Sequence, residues 1–215
     1  MASTVPAPLD EQSAGPRSSK GERTRARLLA AAKEVFEEDG FLGARITDIA
    51  DRAGLSHGSF YHYFDSKEQV FRQIAESVDE QLGAPLVEVI LAPDSELTPH
   101  ERLREALRMH FEAYRNEVRI MGLIEQASRY DEHVDAMMLS RHERYAAQVA
   151  ESIRQLQLRN RADPDLDPKI AAAMVGALTD RFAELWLVQG AVDATMDEAV
   201  DQVTRMLVNA LGITA

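Results

Sequence analysis

Apolar residues recur every three or four positions along most of the chain, which is the period of an amphipathic helix. Over residues 22–38 this pattern predicts a first helix, and Gly40 predicts its end. A second, short helix is predicted over 46–53. Ser56 is a favoured N-cap, so a third helix is predicted to follow it and to end near Phe64.

A fourth helix is predicted to begin after Ser66, because Ser66 and Gln69 have the spacing of a capping box. Its apolar pattern continues to about Leu82. Gly83 and Pro85 then predict an interruption, since both residues disfavour a helix interior.

The remaining sequence contains long helical patterns separated by loop signals. The loop between Pro93 and Pro99, the loop of residues 163–168 and the break at Gly190 divide these helices. Helix starts are predicted by capping residues at three places, which are Thr98 with Glu101, Asp167 with Pro168, and Thr195 with Glu198.

No stretch alternates with period two for long enough to predict a strand. We therefore expect an all-α protein with a small N-terminal head of three helices and a larger C-terminal helical domain. The expected division is a disordered tail over 1–20, the head over 21–66 and the larger domain over 67–215.

Composition excludes some classes of protein and changes the interpretation of the charge. The 215 residues include no cysteine, so zinc–thiolate sites and cysteine nucleophiles are excluded. No apolar run approaches the roughly 18 residues of a membrane helix, and no signal peptide is evident, so we expect a cytoplasmic protein with no membrane partner. The net charge is −12, yet residues 15–33 contain six basic groups and one acid. A local basic patch on an acidic body permits binding to nucleic acid.

The second and third helices, with a glycine between them, have the pattern of a helix-turn-helix. Phe60 and Phe64 lie four residues apart and are expected to face the core. Tyr61, His62 and Tyr63 lie between them and cannot all be buried. Their hydroxyl and imidazole groups suit phosphates and base edges in a major groove, although either tyrosine could instead pack against the protein.

Lys67 follows the predicted cap Ser66, at the N-terminus of the fourth helix. Free backbone N–H groups and the helix dipole favour an anion at this position, so a DNA phosphate is expected beside Lys67.

An ordered set of residues within 23–71 resembles the TetR family of bacterial transcriptional regulators. The resemblance rests on the following residues in chain order: Ala31, Ala32 and Phe36 before Gly40; Asp48, Ile49 and Ala50 before Ala53 and Gly54; Ser56, Gly58 and Phe60–Phe64; and Ser66, Lys67 and Glu68. The remainder of the chain matches the family only in helix number, length and loop placement.

The residues themselves and the resemblance together predict a set of DNA contacts. These are Arg45, Thr47, Ser56, His57, Gly58, Ser59, Tyr61, His62, Tyr63 and Lys67. Arg45 departs from the family pattern, which has Ser or Thr at this position as a cap for the second helix. We expect Arg45 to give up about 1 kcal/mol of helix stability and to hold a phosphate instead.

The resemblance also implies a repressor that binds a palindromic double-stranded operator as a dimer and is released by a small, largely apolar inducer. The last two helices carry apolar stripes that are expected to form the homodimer interface, although both stripes could be intramolecular core. No cofactor is expected. Ligand contacts are expected from Phe111, Tyr114, Met121, Gln126, Tyr130, Met138, His142, Tyr145, Phe182 and Trp186.

Three other functions compete with this hypothesis. An enzyme is disfavoured, because the sequence has no phosphate-binding glycine loop and no nucleophile elbow. A metal site at Asp131 with His133, or at His142 with Glu143, lacks a third ligand at a convincing spacing, so no metal is expected. An architectural or partner-binding protein with the same head remains open, and a ligand that weakens operator binding would distinguish the two.

Overall fold

The structure is a computed structural model, and it describes residues 19–91 and 96–214. Within these residues every regular element is helical, which confirms the predicted all-α class. Residues 1–18 of the predicted tail and Pro93 lie outside the described residues, and Ser19 and Lys20 already belong to the first helix.

The elements follow one another with short connections. They are α1 (Ser19–Gly43), α2 (Ile46–Arg52), α3 (His57–Phe60), α4 (Lys67–Leu91), α5 (Pro99–Asn116), α6 (Val118–Ala127), α7 (Glu132–Leu158), α8 (Pro168–Ala183), a π-helical segment (Glu184–Val188) and α9 (Met196–Ala210). No helix among the described residues is long and apolar enough to cross a bilayer.

The predicted helix starts in the larger domain are confirmed by hydrogen bonds. Thr98 and Thr195 each form a complete capping box, with Glu101 and Glu198 as partners. The Asp167 side chain accepts the backbone N–H groups of residues 169 and 170. These signals act over three or four residues, so the sequence alone determines them.

Two helices differ in length from the prediction. Helix α3 ends at Phe60, and Tyr61–Tyr63 form a turn, so it is shorter than the helix predicted to end near Phe64. Helix α4 continues through Gly83 and Pro85 to Leu91, so the predicted interruption is wrong. A proline removes one hydrogen bond of the helix, which a helix with several turns on either side can tolerate.

Helix α4 joins the head to the larger domain. Near its N-terminus, Phe71 packs edge-on against Phe36 of α1, with ring centroids 5.5 Å apart. Farther along, Leu82 is buried in the same apolar core, and α4 packs against α5 and α7. Residues 67 and 82 are 15 positions apart, so a rigid helix spans about 22 Å between these two regions.

The larger domain is built around α4, α5, α7 and α8, and α9 packs on α5. Most of the apolar stripe predicted on α9 faces inward: Val200, Val203, Leu207 and Leu211 are buried, whereas Met206 is 45% exposed. Packing within the chain therefore accounts for four of its five residues.

Candidate functional site

The first candidate site is the α2–α3 unit of the head. Gly54 has φ of +64°, a left-handed conformation that favours glycine, and it makes the turn that leads to α3. Ser56 caps α3, since its Oγ accepts the Ser59 N–H at 3.3 Å, and the two serine hydroxyls lie 2.8 Å apart. The predicted cap at Ser56 is thus confirmed, and it fixes the direction in which α3 leaves the turn.

The aromatic residues around α3 divide between core and surface. Phe60 and Phe64 are buried, as predicted. Tyr61 and His62 are exposed, whereas Tyr63 is half-buried and packs against the core. His57 is also exposed, and its ring meets that of Tyr61 edge-on at 5.3 Å. The exposed surface presented by this unit therefore contains His57, Gly58, Tyr61 and His62, and Tyr63 reaches it only in part.

Arg45 is at the N-cap position of α2, and its side chain makes no capping hydrogen bond. This confirms the prediction that Arg45 cannot cap the helix. Both Arg45 and Thr47 are exposed at the N-terminal end of α2. Both side chains are therefore accessible, and their phosphate contacts stay a prediction.

The structure corrects the role of Lys67. Its ammonium group faces three backbone carbonyl oxygens, those of Phe41 at 2.8 Å, Ala44 at 3.0 Å and Leu42 at 3.4 Å. It also lies over the Phe41 ring, 4.9 Å from the centroid. An ammonium group has three hydrogens, so in this arrangement Lys67 ties the end of α1 to the start of α4 and has none left for a phosphate.

The basic run ahead of the head also differs from the predicted patch. Arg25 bonds Gln73 and lies over the Phe64 ring, and Arg27 donates to the Ala53 carbonyl. Lys33 forms an ion pair with Glu117 at the start of α6. These three cations join α1 to the rest of the protein, so the run is largely structural.

The second candidate site is a cavity in the larger domain. It has a volume of about 280 Å³ and lies between α4, α5, α7 and α8. Most of its wall is apolar, with Leu82, Leu103, Leu107 and Val149 among the contributors. Such a cavity suits a small ligand, because ligand sites are mostly apolar with a few polar groups.

One end of the cavity is polar and centres on Asp180 of α8. The Asp180 carboxylate lies 3.2 Å from His110 Nε2, 2.9 Å from His142 Nε2 and 3.5 Å from Arg141 Nη2. Burial alone would raise the pKa of Asp180, but the nearby ring nitrogens of His110 and His142 and the charge of Arg141 lower it well below its ordinary value. Asp180 is therefore ionised.

His142 bridges α7 and α8. Its Nδ1 lies 2.9 Å from the Met138 carbonyl oxygen, and its Nε2 lies 2.9 Å from Asp180. Since both oxygens are acceptors, both ring nitrogens must carry a proton, so His142 is an imidazolium ion. The bond to Asp180 raises the pKa of His142, burial opposes this effect, and the bond to Met138 adds to it.

Arg141 lies between two carboxylates. Its Nε is 3.2 Å from Asp79 Oδ1, and both side chains are buried. Arg144, which is largely exposed, reaches the other oxygen of Asp79 at 2.9 Å. Burial raises the pKa of Asp79, and the charges of Arg141 and Arg144 oppose this shift.

Only two of the ten predicted ligand residues, His142 and Tyr145, line the cavity. Phe111, Tyr114 and Met121 are fully buried in the core, and Phe182 and Trp186 pack around Phe111. Gln126 and Tyr130 are exposed, Tyr130 by 61%, and Met138 contributes its carbonyl to His142. The structure therefore does not bring these eight residues to the cavity, as the prediction had them. Helical spacing does not distinguish an apolar side chain in the core from one at a cavity.

Sequence reasoning missed His110, Arg141 and Asp180. A signal existed for His110, which occupies an apolar position of α5 beside Leu107 and Phe111. A titratable residue in an apolar stripe indicates either a satisfied core residue or a functional site. Arg141 had no comparable signal, since α7 contains polar residues on several faces. Asp180 is one of the few polar residues of α8, so a signal existed for it too.

The two candidate metal pairs have other partners. Asp131 caps α7 and forms a bidentate pair with Arg72, and His133 lies 3.6 Å from Glu76. His142 bonds Asp180, as described above. In the parts of the chain that the structure describes, no group of three or more His, Asp or Glu side chains is placed to hold a metal ion.

Comparison with known proteins identifies the head. Residues 28–74 match the family model described as bacterial regulatory proteins, tetR family. The HTH-type transcriptional regulator UidR of Escherichia coli (strain K12) is 26% identical over 171 residues, which cover 77% of this chain and 85% of UidR. The HTH-type transcriptional repressor KstR2 of Mycobacterium tuberculosis is 36% identical over 89 residues, covering 41% of this chain and 43% of KstR2.

Comparison of structures extends the likeness beyond the head. The crystal structure of a TetR-family transcriptional regulator from Mesorhizobium loti superposes with a TM-score of 0.74. The superposition covers 90% of this chain and 98% of that protein at 20% sequence identity. At this identity the likeness establishes the fold of the larger domain, and its ligand must be argued from the residues of this chain.

Proposed function

Because the chain belongs to the TetR family of helix-turn-helix transcriptional regulators, we propose that it is a repressor released from its operator by a small molecule. The proposed operator is a palindromic double-stranded DNA site bound by a homodimer. The family consists of DNA-binding regulators and not of enzymes.

The proposal that the protein binds DNA rests on the exposed surface of α3. His57, Gly58, Tyr61 and His62 are exposed together on a short element held by the Ser56 cap. Exposed aromatic and imidazole side chains suit a major groove, which offers base edges and methyl groups. Arg45 and Thr47 at the start of α2 are proposed to contact the DNA backbone.

Helix α4 supports the proposal for ligand control. It carries Leu82 in the cavity wall and Phe71 in the core of the head. A ligand that separates α4 from its neighbours at the cavity would also tilt the head, because both ends belong to one helix. The change in operator affinity expected from such coupling is about 5- to 150-fold.

Exposed apolar residues on α8 support a dimer. Ile170 and Met174 are exposed by 64% and 67%, and Met206 of α9 by 45%. Large apolar side chains grouped on one helix face indicate a protein–protein contact. We propose that this face, which is not the buried stripe of α9, forms the homodimer interface through the last two helices.

A selection experiment tests the proposed function. The purified full chain is used to enrich DNA from a randomised double-stranded pool, and affinity for the enriched site is measured by fluorescence anisotropy. A two-fold symmetric site is expected, and His62→Ala should weaken its binding at least about tenfold. His100→Ala, which changes an exposed histidine of the larger domain, is the matched control. Enrichment of sites without symmetry, or equal binding by His62→Ala, would contradict the proposal.

A further inference from the structure

We propose that the cavity between α4, α5, α7 and α8 selects an uncharged, largely apolar small molecule and discriminates against carboxylates and ammonium ions. This inference rests on the proposed function only in taking the cavity as the ligand site. Its basis is the charge balance at the polar end of the cavity.

The charges at this end already compensate one another. Asp79 and Asp180 supply two negative charges, and Arg141 and His142 supply two positive charges, the latter because both of its ring nitrogens face acceptors. His110 Nε2 lies 3.2 Å from Asp180 without hydrogen-bond geometry, and Nδ1 is also buried without a partner.

The charged side chains of this group are also paired with one another. Both oxygens of Asp180 face donors, and Arg141 divides its guanidinium between Asp79 and Asp180. The hydroxyl of Thr179 donates to carbonyls of its own helix. A ligand carboxylate or ammonium group would therefore enter an environment of low dielectric without a free counterion, which is strongly unfavourable.

The other charged residues nearby do not change this conclusion. Glu143 lines the cavity but is exposed, so water screens its charge. Arg144 is also exposed and is paired with Asp79. The hydroxyl of Tyr145 and the amide of Gln148 line the wall and suit one neutral polar group of a ligand.

The volume of the cavity limits the ligand to a small molecule. At about 280 Å³ it lies at the lower end of pockets for small molecules, which are about 300 to 1,000 Å³. Gly176 of α8 provides part of this space, because a Cβ built on it meets no atom within 4 Å. A side chain at residue 176 would fill the cavity without an initial clash, and it would favour the helix over glycine.

Three probes of matched size test the charge selectivity. Binding of 1-octanol, octanoate and octylammonium to the full chain is measured by titration calorimetry at pH 7 without DNA. Octanol should bind at least about tenfold more tightly than either ion. Gly176→Leu should abolish octanol binding, whereas Ala147→Leu, which changes an exposed residue of α7, should retain it.

A charge change gives a second, independent test. Asp79→Asn removes one carboxylate but keeps the His142–Asp180 pair and the permanent charge of Arg141, so it leaves the group with a net positive charge. Octanoate should therefore gain at least about tenfold relative to octanol. Circular dichroism and thermal melting check that the variant is folded, and the ratio of the two affinities is compared with that of the wild type.

The inference is overturned if no probe binds, if either ion binds as tightly as octanol, or if octanol still binds Gly176→Leu. An unchanged octanoate-to-octanol ratio in folded Asp79→Asn overturns it as well. Anisotropy with the selected operator separates this result from the proposed function. If octanol binds as expected but leaves operator affinity unchanged, the proposed charge selectivity of the cavity is supported. The proposal that a ligand in this cavity releases the protein from DNA is then contradicted.

Discussion

At the residue scale, Lys67 shows that a residue's place in a helix can be predicted from sequence while its contacts cannot. The position at the start of the fourth helix was predicted, but the ammonium group binds the carbonyls of Phe41, Leu42 and Ala44. A sequence pattern describes neighbours within a helical turn. It does not show which backbone carbonyl groups 23 to 26 residues earlier in the chain need a hydrogen-bond donor.

Lys67→Met tests this structural role. We expect the free energy of unfolding to fall by about 1 to 3 kcal/mol, because the carbonyls lose a charged donor. The salt dependence of operator binding should keep its slope. Lys169→Met, at an exposed position of α8, is the control and should leave stability unchanged. A log–log slope reduced by about one in Lys67→Met would instead identify a phosphate contact and refute the structural role.

At Arg45, in contrast to Lys67, a substitution is expected to raise the free energy of unfolding. Because α2 begins without a side-chain cap, Arg45→Ser should raise the free energy of unfolding by about 0.5 to 2 kcal/mol. If Arg45 holds a phosphate, both Arg45→Ser and Arg45→Ala should reduce the salt slope of operator binding by about one. Only the serine variant should be stabilised. Equal stability of the two variants would exclude the capping argument, and an unchanged slope would exclude the phosphate contact.

At the element scale, the salt-bridge group around His142 joins α7 to α8 and depends on pH. The pKa of His142 is raised in the folded state by its bond to Asp180, and the unfolded value is about 6.5. The stabilisation is therefore complete below about pH 6.5 and is lost as the pH rises through the folded-state pKa. The charges that face His142 are Asp180 on α8 and Arg141 on its own helix, with His110 on α5 sharing Asp180.

His142→Gln measures this contribution. We expect its melting temperature to lie below that of the wild type at pH 6 and the difference to shrink as the pH is raised toward 9. His100→Gln lies on an exposed surface and should show no pH-dependent difference. A difference that is constant from pH 6 to 9 would mean that the charge of His142 does not join the helices.

Helix boundaries were predictable where the signal is local. The caps at Thr98, Asp167 and Thr195 all lie where the sequence placed them, because each bond closes within three residues. Helix α4 was predicted to end too early, since packing on α5 and α7 stabilises a long helix regardless of its local propensity. Helix α3 was predicted too long, because the spacing of Phe60 and Phe64 is compatible with either a helix or a turn.

At the scale of the whole molecule, the head was predicted more accurately than the ligand cavity. The head depends on an ordered set of residues within fifty positions, which the sequence presents directly. The cavity depends on which faces of four helices meet, so Phe111 and Trp186 belong to the core while His110 and Asp180 reach the cavity. Apolar periodicity gives the inward face of a helix but not where the packing leaves a space.

The dimer interface was also difficult to predict from sequence, because the apolar stripes on the last two helices could pack within the chain or against a second chain. The buried stripe of α9 faces its own chain, and the proposed interface therefore uses the apolar residues that remain exposed on α8. Met174→Asp should give a species of 23.9 kDa by light scattering, where the wild type should have twice that mass. Its operator affinity should fall at least about tenfold, since one recognition unit reads only half of a palindrome. Leu42→Asp changes an even more exposed leucine of the head and should stay dimeric, and a dimeric Met174→Asp would place the interface elsewhere.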